Sequence, residues 1–340
     1  MKIINNIEHN KINLPGLFTT ALRWVIGWTY FSAFWRRLIL DNKLIPNEAG
    51  YIGEKFNHFL PNAIVIKPII EYLVSNPDAL LYSMIIFTII EAIVGLLLIL
   101  GLFSRLMGVG VFFLAMGILL GSGWIGTTCL DEWQIGVLGI TGGFTLFMTG
   151  AGPYSIDQYL INKNFKITQT KWFLYLGSGL FSLKNLKPIV LTFSIFLIGL
   201  TLATNQIFHG GVWGKLHNKS VRPKVEISNI IIKGEELSFQ IYRIEGADVY
   251  GSFLIGIEIL DENKNIVKQL DLHDLATFPI ENIHNHYVSK IKPGKHSLVI
   301  PLGAKADLTL KIDQLNPNYN YSLKLIDISG AEWDRDFSYQ

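Results

Sequence analysis

The sequence contains a single cysteine, Cys129, among its 340 residues. One cysteine cannot form an intramolecular disulfide, a CxxC pair, a CxxCH haem-attachment site or a cysteine-ligated iron–sulfur cluster. None of the eight histidines lies inside an apolar run, which disfavours a haem held between two membrane histidines. We therefore expect no haem, flavin, iron–sulfur cluster or metal, and any redox chemistry would need a diffusible partner.

Charge of one sign is also scarce. The formal net charge is +2 at pH 7, too small for the one-signed field that a nucleic-acid partner would require. Residues 1–16 lack the cleavage site of a secretory signal, so we expect a retained cytoplasmic start. Hydrophobic residues make up 50% of the chain and charged residues 16%. This combination is typical of a membrane part followed by a water-soluble part.

Long apolar runs define the membrane part, because roughly 20 helical residues cross the hydrocarbon core of a bilayer. The predicted spans are residues 17–40, 80–103, 106–123, 133–148 and 188–208. Between the first two, apolar residues at helical spacing predict short helices on the membrane surface. Small-residue helix faces favour close helix contacts and make a homodimer our expectation.

The orientation follows from residues 154–187, which hold five lysines and one acid. The positive-inside rule makes this segment cytoplasmic. Counting spans then puts the amino terminus inside, and residues 41–78 and Cys129 outside. Arg36 and Arg37 depart from the rule, since they place two cations at an outer boundary, and such residues often have a functional partner.

After residue 208 the pattern changes to short runs with partial alternation, separated by turn formers such as Pro293-Gly294 and Ser329-Gly330. About eight short strands indicate an antiparallel β-sandwich. The predicted fold is a membrane α-helical bundle of four spans plus a fifth anchoring span, followed by an all-β extracytoplasmic sandwich. The predicted divisions are a four-span domain at 1–160, a basic connector at 161–187, the fifth span at 188–208 and the sandwich at 209–340.

The polar corner at residues 121–133 lies between two predicted spans and contains Cys129. Its glycines match G-x-G-x-x-G, but they end a helix instead of joining a strand to a helix, so they indicate a tight turn and not a nucleotide site. Cys129 is either an inert small residue or a thiol that holds a sulfur intermediate, which nearby cations would favour. Trp124 and Trp133 would then exclude water.

Several charged residues have two interpretations. Arg36 and Arg37 either extend to lipid headgroups or form an outward-facing anion site. Arg23 and Glu91 either form a buried structural pair or line a cavity in which the carboxylate handles the protons of a quinone.

The basic segment at residues 209–222 follows the fifth span and contains His209, Trp213, His217 and Arg222. It is either a plain linker or part of an anion site near Cys129. We favour the second interpretation, because linkers seldom combine tryptophan, histidine and three glycines.

Together these residues resemble the DoxD and DoxA families of thiosulfate:quinone oxidoreductase, fused in one chain. The membrane part is similar to the wider DoxX-like fold at Arg23 and Gly27, at EAIVG (91–95) through GLFSR (101–105), and at GAGPYSID (150–157). The run TCLDEW (128–133) resembles DoxD more specifically. The runs GGVWG (210–214) and HNKSV (217–221) resemble the start of DoxA.

The resemblance implies that two thiosulfates are oxidised to tetrathionate on the outer face of the plasma membrane, with two electrons passed to a membrane quinone. It does not supply residue roles, so these are our hypotheses. Catalytic roles go to Cys129 and Glu91, and quinone binding goes to Arg23 and Glu91. Thiosulfate binding goes to Arg36, Arg37, His209, Trp213, His217, Arg222, Trp124 and Trp133.

Two other functions are compatible with the sequence. The chain could be a non-catalytic DoxX-like accessory subunit of the lipid bilayer whose sandwich positions another redox protein. It could instead be a DoxX-like partner in thiol oxidation, but the absence of a second cysteine weakens that alternative.

Overall fold

The computed structural model describes residues 13–46, 48, 50–124, 132–179, 183–216, 222–247, 251–312, 315–316 and 319–338. Its first part is helical. The helices are α1 Leu14–Phe18, α2 Thr20–Phe34, α3 Ile52–Phe59, α4 Lys67–Ser75, α5 Pro77–Leu100, α6 Ser104–Gly121, α7 Glu132–Thr149, α8 Ile156–Asn162, α9 Lys171–Leu176 and α10 Leu183–Phe208. A π-helical turn, Trp35–Ile39, continues α2, and a 3-10 turn, Lys166–Gln169, precedes α9.

Three of the described helices are long and apolar enough to cross a membrane: Pro77–Leu100, Ser104–Gly121 and Leu186–Phe208. The part of α10 in this set has little of its surface buried, and most of its exposed side chains are apolar, as expected for a helix that faces lipid. This confirms a membrane protein. Helices α2 and α7 pack against α5 and α6 in the same bundle, while the count of five spans stays a prediction.

Two glycines of the bundle, Gly108 and Gly143, make their close contacts within one chain. A Cβ on Gly108 would lie 2.9 Å from the carbonyl oxygen of Gly143, and one on Gly143 would lie 2.7 Å from that of Gly108. These glycines therefore let α6 and α7 approach closely. The homodimer stays a prediction, and Gly108 and Gly143 give no evidence for it.

One end of the bundle, which we call the hub face, is organised by the fully buried carboxylate of Asp157. Its oxygens accept hydrogen bonds from the backbone N–H of Phe103 (2.9 Å) and Ser104 (3.1 Å) and from the hydroxyl of Ser178 (2.6 Å). Because α6 begins at Ser104, the negative charge lies at the helix end where unpaired N–H groups and the helix dipole favour it.

Two buried arginines at the hub face donate hydrogen bonds to carbonyl groups near the carboxyl-terminal ends of helices. Arg23 donates to the carbonyl oxygens of Leu98 (2.7 Å) and Ile99 (2.8 Å) in the last turn of α5, and also to that of Tyr154 (2.6 Å). Arg105 donates to the carbonyl oxygens of Phe147 and Leu174, near the ends of α7 and α9. The cations thus lie where helices present unpaired carbonyls.

The second part of the chain is an all-β domain of two antiparallel sheets, as predicted. The strands are β1 Lys224–Lys233, β2 Glu236–Glu245, β3 Ser252–Leu260, β4 Ile266–Leu270, β5 Ile283–Asn285, β6 Lys292–Pro293, β7 Leu298–Ile300, β8 Lys305–Lys311, β9 Asn320–Asp327 and β10 Glu332–Ser338. One sheet has the order β1-β2-β8-β5. The other has β10-β9-β3-β7-β6, with β4 paired to β3.

Alternating residues of both sheets form a single core. Leu237, Phe239 and Ile241 of β2 meet Leu323 and Leu325 of β9 in it. The sequence does not predict the short capped helix α11, Leu272–Ala276, which lies between β4 and β5. Its first turn is closed by a capping box of Asp271 and Asp274. The Asp271 carboxylate accepts hydrogen bonds from the backbone N–H groups of Asp274 and His273. These bonds hold the pKa of the exposed Asp271 carboxyl below its usual range.

The sandwich rests on α3 and α4, at the end of the bundle opposite the hub face, which we call the sandwich face. The fully buried amide of Asn57 donates to the carbonyl oxygen of Gly303 at 2.7 Å. Gly303 has φ +74°, and a Cβ there would lie 2.4 Å from the carbonyl oxygen of Asn57. Glycine is therefore required by both the backbone conformation and the close approach.

A second contact joins the two parts beside the first. Tyr287 donates from its hydroxyl to Glu71 at 2.8 Å, and Val288 donates its N–H to the carbonyl oxygen of Val74 at 3.1 Å. Burial and the hydrogen bond with Glu71 raise the pKa of Tyr287, so the phenol stays protonated and continues to donate. The predicted surface helices exist, and their apolar faces carry the sandwich as well as the bundle.

We predict that Asp157→Ala destabilises the helical part, because the two N–H groups at the start of α6 and the Ser178 hydroxyl lose their acceptor. The expected loss of unfolding free energy is about 3 kcal/mol, measured by chemical unfolding of the detergent-solubilised protein. The control is Asp78→Ala, an exposed acid in the first turn of α5, for which we expect a loss below about 1 kcal/mol. Equal losses in both variants would contradict this role of Asp157.

Candidate functional site at the sandwich face

The polar corner between α6 and α7 is closed by its two tryptophans. Trp124 and Trp133 are 4% and 3% exposed and share one apolar cluster with Phe208, the last residue of α10. The backbone N–H of Trp133 donates to the carbonyl oxygen of Gly123 at 2.7 Å, which fixes the two ends of the corner together. Residues 125–131, with the predicted catalytic Cys129, lie outside the described residues.

The start of the basic segment is joined to this corner. The indole N–H of Trp133 donates to Nε2 of His209 at 3.3 Å, and their rings are 6.0 Å apart. Because Nε2 accepts, a neutral His209 carries its proton on Nδ1. The structure therefore brings together three of the predicted thiosulfate-binding residues, namely Trp124, Trp133 and His209.

Trp213 and Arg222, which also belong to the basic segment, are exposed to solvent. Trp213 is 61% exposed, and its backbone N–H donates to the side chain of Gln206 at 3.1 Å. A β-bridge between Gly210 and Leu216 folds the segment back on itself. Arg222 is exposed, and His217 lies outside the described residues. The roles of these three residues in binding stay predictions.

The two arginines of the π-helical turn have different surroundings. Arg37 donates from Nη1 to Oε2 of Glu91 at 2.6 Å and to the hydroxyl of Thr88 at 2.9 Å. Arg36 is exposed, and its Nε lies 3.3 Å from the carbonyl oxygen of Ser32 in its own helix. The structure therefore does not present the two guanidinium groups as a single anion site.

Glu91 is buried inside the bundle, where Arg37 is its ion-pair partner. A pair between Glu91 and Arg23 does not form, because the guanidinium group of Arg23 is held by backbone carbonyls at the hub face. Sequence reasoning missed two residues of this cluster, Thr88 and Tyr30. A heptad spacing places Arg23, Tyr30 and Arg37 on one face of α2 and its π turn, and that regular spacing could have identified Tyr30.

A lipid-facing groove of about 630 Å³ lies between α6, α7, α9 and α10. Its lining includes Phe112, Phe144, Phe193 and Tyr175, and the described residues contribute no carboxylate or cation to it. Such a surface can hold a hydrocarbon chain, but it offers little for the protons of a quinone headgroup. Among the residues that the structure describes, no group of three or more metal-ligating side chains comes together.

Comparison with known families identifies both parts of the chain. Residues 18–187 match the family model described as TQO small subunit DoxD. Residues 208–336 match the model described as TQO small subunit DoxA. The first match contains Trp133 and Glu91 with its partners, and the second contains His209.

We predict a measurable coupling between Trp133 and His209, because their hydrogen bond is partly buried at the junction of the two matched regions. In a double-mutant cycle of Trp133→Phe and His209→Ala, the unfolding free energies should show a coupling of about 0.5–1.5 kcal/mol. The matched control pairs His209→Ala with Trp172→Phe at the hub face, where additivity within about 0.5 kcal/mol is expected. A coupling no larger than that of the control would contradict the contact.

Proposed function

Since this chain belongs to the DoxD family over residues 18–187 and joins to it a DoxA part over residues 208–336, we propose that one polypeptide carries both parts of a thiosulfate:quinone oxidoreductase. In this proposal two thiosulfates become tetrathionate at the sandwich face. Two electrons pass to a quinone dissolved in the membrane.

The observation that carries the proposal is the contact between the two parts at the corner. Trp133 of the DoxD part donates to His209 of the DoxA part, and the sandwich rests on α3 and α4 of the DoxD part. Both parts therefore contribute side chains to one region at the membrane boundary. A sulfur anion that reached this region would lie next to apolar helices through which a quinone can approach.

The proposed chemistry forms two sulfur–sulfur bonds in turn and breaks the first, so that one new bond remains in the product. The Cys129 thiolate joins the outer sulfur of a first thiosulfate, and the two electrons released reduce the quinone, which takes up two protons. The outer sulfur of a second thiosulfate then attacks the bound sulfur, tetrathionate leaves and the thiolate is regenerated. A thiolate near cations is favoured for such exchange, and Arg222 is a candidate cation in the described part of the basic segment.

The proposed orientation places the sandwich outside the cell. The described part of the lysine-rich residues 154–179 lies at the hub face, where Ser178 and Leu174 contact Asp157 and Arg105. The sandwich rests on the opposite end of the same helices. A cytoplasmic hub face, as the positive-inside rule favours, makes the sandwich face extracytoplasmic, in a plasma-membrane protein with a cytoplasmic amino terminus.

The test is turnover by the purified full-length chain with thiosulfate and a soluble quinone analogue, in the absence of oxygen. We expect quinol and tetrathionate in equal amounts, with two thiosulfates consumed for each quinol. Cys129→Ser should lower the turnover number by about two orders of magnitude or more, as removal of a covalent nucleophile does, with an unchanged melting temperature.

Two results would contradict parts of this proposal. A purified, folded chain that reduces no quinone would favour the accessory-subunit alternative. Near-normal turnover by a folded Cys129→Ser variant would remove Cys129 from the chemistry while leaving the overall reaction in place.

A further inference from the structure

We propose that Arg37 positions Glu91 and also donates a hydrogen bond to the quinone, and that the two form, with Thr88 and Tyr30, the site at which the quinone headgroup binds and receives its protons. The inference rests on the proposed function and deepens it. It moves Arg37 from the thiosulfate side of the reaction, where the sequence suggested it, to the quinone side.

Arg37 lies within a π-helical turn and faces inward. Within Trp35–Ile39 the chain makes a wider turn, and the N–H of Leu40 donates to the carbonyl oxygen of Trp35 at 3.0 Å, five residues back. Such a turn changes the direction of the side chains that follow, and π turns are frequent at functional sites. Here Arg37 points towards α5 while Arg36 stays exposed.

The Arg37–Glu91 pair is buried and only partly satisfied. The two side chains are 14% and 8% exposed. Arg37 uses Nη1 for both of its bonds, so among the described residues neither Nε nor Nη2 has a partner, and Oε1 of Glu91 receives no hydrogen bond. A charged pair inside a membrane bundle is energetically costly and marks a functional site. Its open donors and its open acceptor are the groups that a ligand would use.

The surroundings of the pair are otherwise apolar. Arg37 lies 5.9 Å from the centre of the Phe87 ring, and Val94 and Leu98 continue the apolar face of α5. The titratable groups that act on the Glu91 carboxylate, among the described residues, are Arg37 and the phenol of Tyr30. The side chains from α6 in this cluster, such as Val111, are apolar.

The depth of the cluster suits electron transfer from the corner. The hydroxyl of Tyr30 approaches α7 at Gly139, where a Cβ would lie 3.6 Å from it. Gly139 follows Trp133 by six residues, which is about 9 Å along a helix. A headgroup bound between Tyr30 and Arg37 would therefore lie about two helical turns below the corner, close enough to accept electrons from it.

The chemistry of the pair favours a quinone over a sulfur anion. The carboxylate 2.6 Å from Arg37 offsets its charge, so a dianion would gain little from the arginine and would be repelled by Glu91. A quinone carbonyl is neutral, and Arg37 can donate to it from Nε or Nη2. Reduction of a quinone to a quinol consumes two electrons, which come from two thiosulfates, and two protons, which Glu91 takes from water and passes on.

The test compares Arg37→Gln, Arg37→Lys, Glu91→Gln and the double variant Arg37→Gln/Glu91→Gln. For Arg37→Gln we expect the KM for the quinone analogue to rise about tenfold, as loss of one charge-assisted hydrogen bond predicts. The KM for thiosulfate should stay within twofold (about 0.4 kcal/mol or less). Arg37→Lys should restore part of the quinone affinity, because it keeps the cation.

The pH profile and the double variant separate positioning from a purely structural role. Arg37→Gln removes the charge 2.6 Å from the Glu91 carboxylate, so the pH profile of quinone reduction should change shape in this variant. Lys163→Gln removes one positive charge from the exposed end of α8, outside the proposed sites, and its profile should keep the shape of the unmodified protein's. The double variant should regain the melting temperature lost in Arg37→Gln but not the rate.

Each opposite result overturns the inference. A raised KM for thiosulfate with an unchanged KM for quinone would make Arg37 an anion-binding residue. Recovery of the rate in the double variant would make the pair structural only. If the unmodified chain shows no thiosulfate-dependent turnover, the proposed function fails. The quinone site can then still be tested by measuring binding of the quinone analogue through the change in tryptophan fluorescence. Tenfold weaker binding by Arg37→Gln supports the site, and unchanged binding refutes it.

Discussion

The buried charges of the hub face are the constraint on which the rest of the structure depends. Asp157 lies at the start of α6, while Arg23 and Arg105 lie at the ends of α5, α7 and α9. Each charge satisfies backbone groups that an apolar environment would otherwise leave unpaired, and each has the sign that the helix dipole favours. Gly101 completes this arrangement, because a Cβ there would lie 2.6 Å from a nitrogen of Arg23. The helices are thus fixed at one end, which leaves the other end to carry the sandwich and the candidate site.

At the sandwich face, hydrogen bonds join the two parts of the chain that match separate families. Asn57 and Glu71 hold the sandwich from the helical side, and Trp133 and His209 join the parts at the corner. These contacts are specific hydrogen bonds between buried or partly buried groups, which lose stability if a partner is removed. The covalent connection after α10 is therefore reinforced by non-covalent ones. In the proposed mechanism, thiosulfate reacts at the corner and the quinone binds in the interior of the bundle.

Sequence reasoning could predict the elements better than their contacts. Continuous apolar runs identified α5, α6 and α10, and alternation with turn formers identified the two-sheet domain, because both patterns are local. The partner of Glu91 was missed, because the heptad spacing of Arg23, Tyr30 and Arg37 indicates a shared helix face but not which residue of α5 lies opposite it. The contact of Asn57 with the sandwich was also not predictable, because its partner, Gly303, is far away in the sequence. Arg23 and Asp157 were recognisable as parts of a family pattern, but their hydrogen bonds to helix ends could be identified only from the structure.

The central claim is that sulfur oxidation and the sandwich share one side of the membrane. It is tested most directly with the full-length chain in sealed vesicles that contain a membrane quinone and are sorted so that the sandwich faces outward. The account predicts that thiosulfate supplied only outside is converted to tetrathionate outside and reduces the quinone, whereas thiosulfate trapped only in the lumen is not consumed. Consumption of the luminal pool, with the outside pool untouched, would contradict it.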